Sequence, residues 1–276
     1  MNRIAALLLI LIALPIHADD IADSTADASR TERARSEARM VSRQLWTDVK
    51  GLTTAPLHWD RTEWERFGAG AAAVAIVYAE DRNIYNLVQR NRSHATDQYA
   101  RAVTHFGGGV AQDIAILLLG AGYATGNTTA RNTGFDALEA EVWAAGIVTP
   151  SLKRIAGRAR PIQEMGPHSF KPFSSCCESF PSGHSTNAWA LATVVADHSN
   201  GWLMPTLAYT VATSVSMARV NDRAHFPSEV LAGALIGRAV GKSIVNRHRN
   251  SKRAEALSVV PIADGHNRGL VISTQW

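Results

Sequence analysis

The sequence predicts an all-α protein, a helical bundle closed by a short C-terminal β-hairpin. Apolar stretches rich in small residues recur at 67–78, 114–124, 137–147, 186–196, 202–218 and 230–245. Their lengths and their Ala and Leu content favour helices over strands. Gly-rich breaks separate the stretches. Hydrophobic residues make up 46% of the chain and charged residues 19%, a balance that supports a packed core and argues against disorder over most of the length.

At the start, one positive charge at Arg3 precedes an apolar run from Ile4 to Leu14, followed by Pro15 and the small residue Ala18. This is the layout of a secretory signal peptide over residues 1–18, and it places the protein in the periplasm or cell envelope. The run is shorter than the ~20 residues of a spanning helix. Residues 19–58 read as a leader passing into an amphipathic helix that ends near Lys50-Gly51. Residues 59–250 hold the helical domain. Residues 251–276 carry two β-prone runs, 256–262 and 270–276, around the turn-rich segment 263–269, which predicts an appended hairpin.

Charge narrows the list of partners. Removal of residues 1–18 deletes Arg3 and no acid, so the formal charge of +4 becomes +3. That mild excess, without a basic stripe, excludes a nucleic-acid binder as the leading reading. The adjacent Cys176 and Cys177 leave open either a strained vicinal ring or separate fates, and neither has zinc-site spacing. Asp113, Glu139, Glu141, Asp197, Arg238 and Lys242 interrupt the apolar runs, and a lipid-facing charge costs ~2.5–3.5 kcal/mol. The expectation is a soluble or peripherally membrane-attached protein, with an inner-membrane protein whose site faces the periplasm as the alternative.

Three clusters carry the chemistry. Lys153 and Arg160 stand seven apart, which on one helix returns to nearly the same face, and Pro161 would end that helix; two cations so placed suit an anion with several oxygens. In Pro181-Ser182-Gly183-His184, a helix N-terminus offers free N–H groups, Ser182 a hydroxyl and Gly183 close backbone approach, with His184 placed to pass a proton. In the third cluster His225 and Glu229 are four apart, so the carboxylate could accept a hydrogen bond from Nδ1–H and leave Nε2 free as a nucleophile. Arg219 adds a guanidinium fork. Taken singly, a solvated basic helix end, an ordinary capped helix start and dipole compensation by Glu229 explain each cluster as well.

Together, and in this order, the clusters resemble the three-part signature of the type 2 phosphatidic acid phosphatase and vanadium haloperoxidase superfamily. Lys153, Arg160 and Pro161 match the first part, Pro181 to His184 the second, and Arg219 and His225 the third. Ala218 replaces the usual Ser and Glu229 the usual Asp. The resemblance implies a helical bundle with a central site and a phosphatase that needs no metal or other cofactor. In that mechanism His225 attacks phosphorus, His184 protonates the leaving alkoxide, Glu229 orients His225, and Lys153, Arg160, Ser182, Gly183 and Arg219 hold the phosphate oxygens. The substrate would be a phosphate monoester, either of a lipid or of a small periplasmic compound. The rival readings are a vanadate-dependent haloperoxidase and a non-catalytic anion-binding envelope protein.

Overall fold

The computed structural model describes residues 39, 42, 45–264 and 267–274, with side chains through residue 251. The expected signal peptide (1–18), most of the leader and Trp276 lie outside the described residues. Residues 45–54 are helical and run into a 3₁₀ turn, Ala55–His58, so this leading segment continues past the stop expected at Lys50-Gly51. Gly51 does not break the helix because it serves packing. A Cβ there would overlap the Arg247 guanidinium, 1.6 Å from Nη1.

Among the described residues nine further helices follow: α1 (Arg61–Ala79), α2 (Asp81–Arg90), α3 (His94–Thr104), α4 (Gly109–Thr125), α5 (Thr128–Glu141), α6 (Thr149–Ala156), α7 (Gly183–His198), α8 (Leu203–Asn221) and α9 (Pro227–Ala256). The six apolar stretches all fall in helical segments. The run at 137–147 is two pieces, because α5 widens into a π-helical turn over Val142–Val148. Helices α2 and α3 are polar on one side and lack a continuous apolar run, so hydrophobicity alone passes over them. Local capping is strong where it occurs: Asp60 and Glu63 form a reciprocal box at the start of α1, as do Ser93 and Thr96 at α3. At the end of the chain, β1 (Leu257–Asp264) pairs antiparallel with β2 (Asn267–Thr274), extending into the stretch read from sequence as loop.

The core lies where α4, α5, α7 and α9 meet, around Ala111, Leu119, Leu138, Leu191, Val194 and Ile244. Its small residues let backbones approach closely. A Cβ at Gly233 would stand 2.6 Å from the Ser182 carbonyl oxygen, at Gly237 2.2 Å from that of Thr186, and at Gly241 3.0 Å from that of Ala190. These contacts advance together along both chains, so α7 and α9 run parallel and their N-termini end side by side. Replacing Gly237 with any larger residue would push two backbones apart, since the nearest atom is a carbonyl oxygen and not a flexible side chain.

Among the described residues no single helix is long and apolar enough to cross a membrane; His94–Gly107 and Gly109–Thr125, bent by 47°, meet that test only as a pair. Two of the charged residues that interrupt the apolar runs lie elsewhere than expected. Glu139 and Glu141 are 1% and 3% exposed and so lie inside the bundle, where the cost of facing lipid does not apply to them. Large apolar side chains face outward instead. Helix α1 buries none of its residues and exposes Trp64, Phe67 and Ile76, and α8 exposes Leu203, Leu207 and Val211.

Candidate active site

The parallel packing of α7 and α9 brings the second and third clusters together. Ser182 is the N-cap of α7, its Oγ accepting from the Ser185 amide at 3.5 Å, and its own amide donates to the Glu229 carbonyl at 3.0 Å. Gly183 and His184 are the first residues of α7, where backbone N–H groups have no helical partners. His225 precedes the start of α9 by two residues, and Glu229 lies in its first turn. Arg219 arrives from the end of α8, and the Ala224 and His225 amides both donate to its carbonyl, which fixes the tight connection between α8 and α9.

His225 and Glu229 form a buried pair. Imidazole Nδ1 lies 2.9 Å from Glu229 Oε2, which also accepts from the Phe226 amide at 3.1 Å and, through a very short hydrogen bond, from Ser179 Oγ. Ser179 Oγ is in turn 3.3 Å from His225 Nδ1. With Nδ1 engaged in this way, Nε2 is the nitrogen left to face the cations. Burial, and then Lys153, Arg160 and Arg219, drive the His225 imidazole far below its usual range, so it is neutral. His184 is pushed down to about 4 by burial and by Arg219, His225, Arg160 and Lys153. All three cations therefore act on both imidazoles, and an arriving phosphate dianion would reverse that effect and let His184 take up a proton.

The first cluster is assembled differently from the sequence expectation. Lys153 and Arg160 are not on one helix. Helix α6 ends at Ala156, four residues before Arg160, because Gly157 caps it in the left-handed region (φ 55°, ψ 38°) with its amide on the Lys153 carbonyl. A Cβ at Gly157 would also stand 1.9 Å from the Lys171 carbonyl oxygen. Pro161 opens a 3₁₀ turn and ends no helix. Lys153 Nζ donates to the carbonyls of Glu178 (2.6 Å) and Ser179 (3.2 Å), and burial, with Arg160 nearby, lowers it to about 8. Arg219 Nη1 donates to Thr104 Oγ1 at 2.9 Å and pairs with Asp222 Oδ2 at 3.4 Å, while its buried Nε has no hydrogen-bond partner among the described residues.

Three residues at the site escaped the sequence reading. Arg158, 0% exposed, bonds Asp81 Oδ2 at 2.7 Å, Ser228 Oγ at 2.9 Å and the Pro167 carbonyl, and lies 3.3 Å from Glu229 Oε1. Tyr78, Phe170 and Phe226 surround its guanidinium at 4.7–5.5 Å. Asp81 also accepts from the Ser228 amide at 2.8 Å, tying α2 to the start of α9. Ser179 is the third. Nothing local marks any of them, since their side-chain partners lie 46 to 147 positions away. Cys176 and Cys177, near Lys153's carbonyl acceptors, are joined in a vicinal disulfide.

Glycines form one further wall of the site. A Cβ at Gly107 would meet the His184 carbonyl oxygen and Val215 Cγ1 at 2.6 Å each, and one at Gly108 would lie 3.5 Å from His184 Nε2.

Comparison with known proteins finds relatives over the same stretch of chain. Residues 140–253 match the PAP2 superfamily, a stretch that contains all three clusters. Curated relatives include "Lipid A 1-phosphatase" of Rhizobium johnstonii, 41% identical over 97 residues covering 34% of this chain and 39% of that protein. The same name is carried by a Rhizobium etli protein, 40% identical over 97 residues covering 34% of this chain and 41% of that one. The match thus spans about two fifths of these relatives' length. Among solved structures, "the first transmembrane PAP2 type phosphatidylglycerolphosphate phosphatase from Bacillus subtilis" shares the fold at TM-score 0.53 and 22% identity, covering 67% of this chain and 96% of that one.

Proposed function

We propose, from the premise that residues 140–253 belong to the PAP2 superfamily, that this protein is a phosphatase that hydrolyses a lipid phosphate monoester through a phosphohistidine. The observation that carries the proposal is the buried His225–Glu229 pair beside the N-terminus of α7, under the joint influence of Lys153, Arg160 and Arg219. His225 Nε2 attacks phosphorus and the ester P–O bond breaks. His184, protonated once the phosphate dianion is bound, gives its proton to the departing alkoxide; it then takes a proton from water as the water attacks the phosphohistidine and releases phosphate. The cations, Ser182 and the Gly183 amide hold the nonbridging oxygens throughout, doing the work that metal ions do in kinases.

A lipid is favoured over a small soluble ester on two grounds. The similar rhizobial proteins are named lipid A 1-phosphatases, and an apolar groove of about 320 Å³ runs between α2, α3 and α8, walled by Leu87, Val88, Tyr99, Ala100, Met217 and Ala218. Ala218 adjoins Arg219 in sequence, so replacing the family's usual Ser with Ala keeps this wall apolar. The exposed apolar faces of α1 and α8 suit contact with a bilayer and support a location at a membrane of the cell envelope. Within the chain, residues 59–250 are read as the catalytic domain and 19–58 as a leader and amphipathic helix; because α9 continues to Ala256, the appended hairpin begins at Leu257 rather than at 251.

The decisive assay measures phosphate release from lipid A 1-phosphate, phosphatidic acid and an aryl phosphate, in detergent with chelator present. Hydrolysis of a lipid phosphate well above that of the aryl ester is expected. Bromide oxidation on adding vanadate and peroxide, without phosphatase activity, would favour the haloperoxidase reading. Inactivity on every phosphate and in the peroxidase assay would leave an anion-binding protein.

Glu229 sets an expected pH dependence. Burial pushes its carboxyl up to about 7, against the pull of Arg158, Ser179 and the Phe226 amide. Below that pH it gains a proton and ceases to be a good acceptor for His225 Nδ1–H. kcat should therefore fall as the pH drops through about 7. Glu229→Gln, neutral at every pH, should lose roughly 10²-fold in kcat and show no such acid limb. An acid limb that persists in the Glu229→Gln enzyme would assign it to another group.

A further inference from the structure

Far from the site, the bundle holds a second cluster of ionisable groups with the geometry of a metal centre. His248, in the C-terminal half of α9, projects between the leading helix and α5. Its Nε2 lies 3.0 Å from Asp48 Oδ2 and 3.3 Å from Glu139 Oε2, and its Nδ1 lies 2.6 Å from Asp136 Oδ1. Asp136 is held from its other oxygen by His198 Nε2 at 2.7 Å. Asp48, Asp136, Glu139 and His248 are each 1–4% exposed.

We propose that Asp48, Glu139 and His248 bind a divalent cation of the zinc type, which fastens the leading helix to the bundle. The arrangement of the two imidazole nitrogens carries the argument. Metal-bound histidines characteristically donate their second ring N–H to a carboxylate, which orients the ring and raises its basicity; Asp136 is in that position. The opposite nitrogen then points at two carboxylates. Ligand bonds of ~2.0–2.2 Å at angles of ~90–109° put neighbouring ligand atoms about 2.9–3.5 Å apart, and the observed 3.0 and 3.3 Å fall in that range. Independently, both oxygens of Glu139 are buried without a hydrogen-bond partner among the described residues. A buried carboxylate whose oxygens accept no hydrogen bond is costly; His248 forms an ion pair with Oε2 at 3.3 Å, and a cation between Glu139, Asp48 and His248 Nε2 would satisfy the carboxylate more fully, with Oε1 at hand for a further bond.

The charges agree. Three buried carboxylates face one imidazole here, with His198 behind Asp136, and a divalent ion would restore balance while His248 gives up any proton on Nε2. The ion would be structural. His248 lies 19 residues beyond Glu229 on the same helix, roughly 28 Å along its axis, so the phosphatase chemistry would not use it.

The test uses the full-length protein loaded with ZnCl₂ and then dialysed against metal-free buffer. Wild type should retain about one Zn²⁺ per chain by elemental analysis, and chelator should lower its melting temperature by about 4 °C. Glu139→Gln, isosteric and outside the proposed catalytic set, should lose most of the zinc while keeping phosphatase activity at moderate temperature. Co²⁺ in place of Zn²⁺ should give visible absorption bands in wild type that His248→Ala lacks. Wild type that retains no zinc and melts alike with and without chelator would overturn the site and leave a hydrogen-bonded imidazolium clamp. Equal zinc retention in wild type, Glu139→Gln and His248→Ala would overturn it too, by placing the ion elsewhere.

Discussion

His225→Ala is expected to lower phosphate release by at least ~10⁴-fold while leaving the melting temperature close to that of wild type. The size follows from the proposed role: without Nε2 there is no group to accept the phosphoryl, and the remaining cradle only binds. The imidazole is buried and neutral, its Nδ1 engaged by Glu229 and Ser179. Its loss leaves a void at the edge of the core, but three of the four interactions of the Glu229 carboxylate persist, from Arg158, Ser179 and the Phe226 amide. Rapid-quench detection of an acid-labile phosphoprotein in wild type, absent from His225→Ala, reads the intermediate directly. A comparison with His184→Ala sharpens the assignment. That variant should lose most activity on lipid phosphates, whose alkoxides need a proton, whereas an aryl phosphate, whose leaving group does not, should still phosphorylate His225 and release its phenol in a burst before a slow hydrolysis step that lacks its base. A His225→Ala enzyme that turns over lipid phosphate at near wild-type rate would refute the mechanism.

Arg158→Met should produce the largest loss of stability, about 3–5 kcal/mol. Arg158 is fully buried and neutralises two carboxylates, Asp81 and Glu229, one on each side of the guanidinium. Removing it leaves both carboxylates in the core without a countercharge, whereas the apolar methionine still fits among Tyr78, Phe170 and Phe226. Urea unfolding followed by circular dichroism measures the effect. The double variant Arg158→Met/Asp81→Asn should recover part of the loss, because one of the stranded charges is then gone. The same change has a functional mark, since Glu229 loses its nearest cation and its carboxyl rises further, moving the acid limb of kcat upward. A single variant within ~0.5 kcal/mol of wild type would show that the buried pair contributes little net energy.

How far the site could be read before folding depends on which kind of distance separates its parts. His225 and Glu229 are four apart at a helix start, so their pairing is a local consequence of helical geometry and is legible in the chain. Ser182, Gly183 and His184 are legible for the same reason, as a cap followed by an apolar helix. Lys153 and Arg160 read from the sequence as two cations on one helical face, whereas the fold brings them together by a different geometry. A seven-residue spacing reads as one helical face only if the helix continues, and Gly157 stops it. The same limit explains Arg158. Between two cations already proposed for the site it looks redundant, and only the fold shows that it is buried between Asp81 and Glu229.

Sequence by itself determined the helical make-up of the chain, the order of the three clusters and the local pairs within them, because each depends on residues within one or two turns of one another. Tertiary structure decided what surrounds them. The glycines of α9 set α7 and α9 side by side, and this contact between residues some fifty positions apart brings His184 and His225 into one site. It also carried Glu139 and Glu141 into the interior, although as charges in apolar runs they had read as barriers to burial in lipid. The reason is physical: a helix start or a helical face depends on backbone spacing along the chain, whereas the partner of a buried charge depends on which helices meet in space.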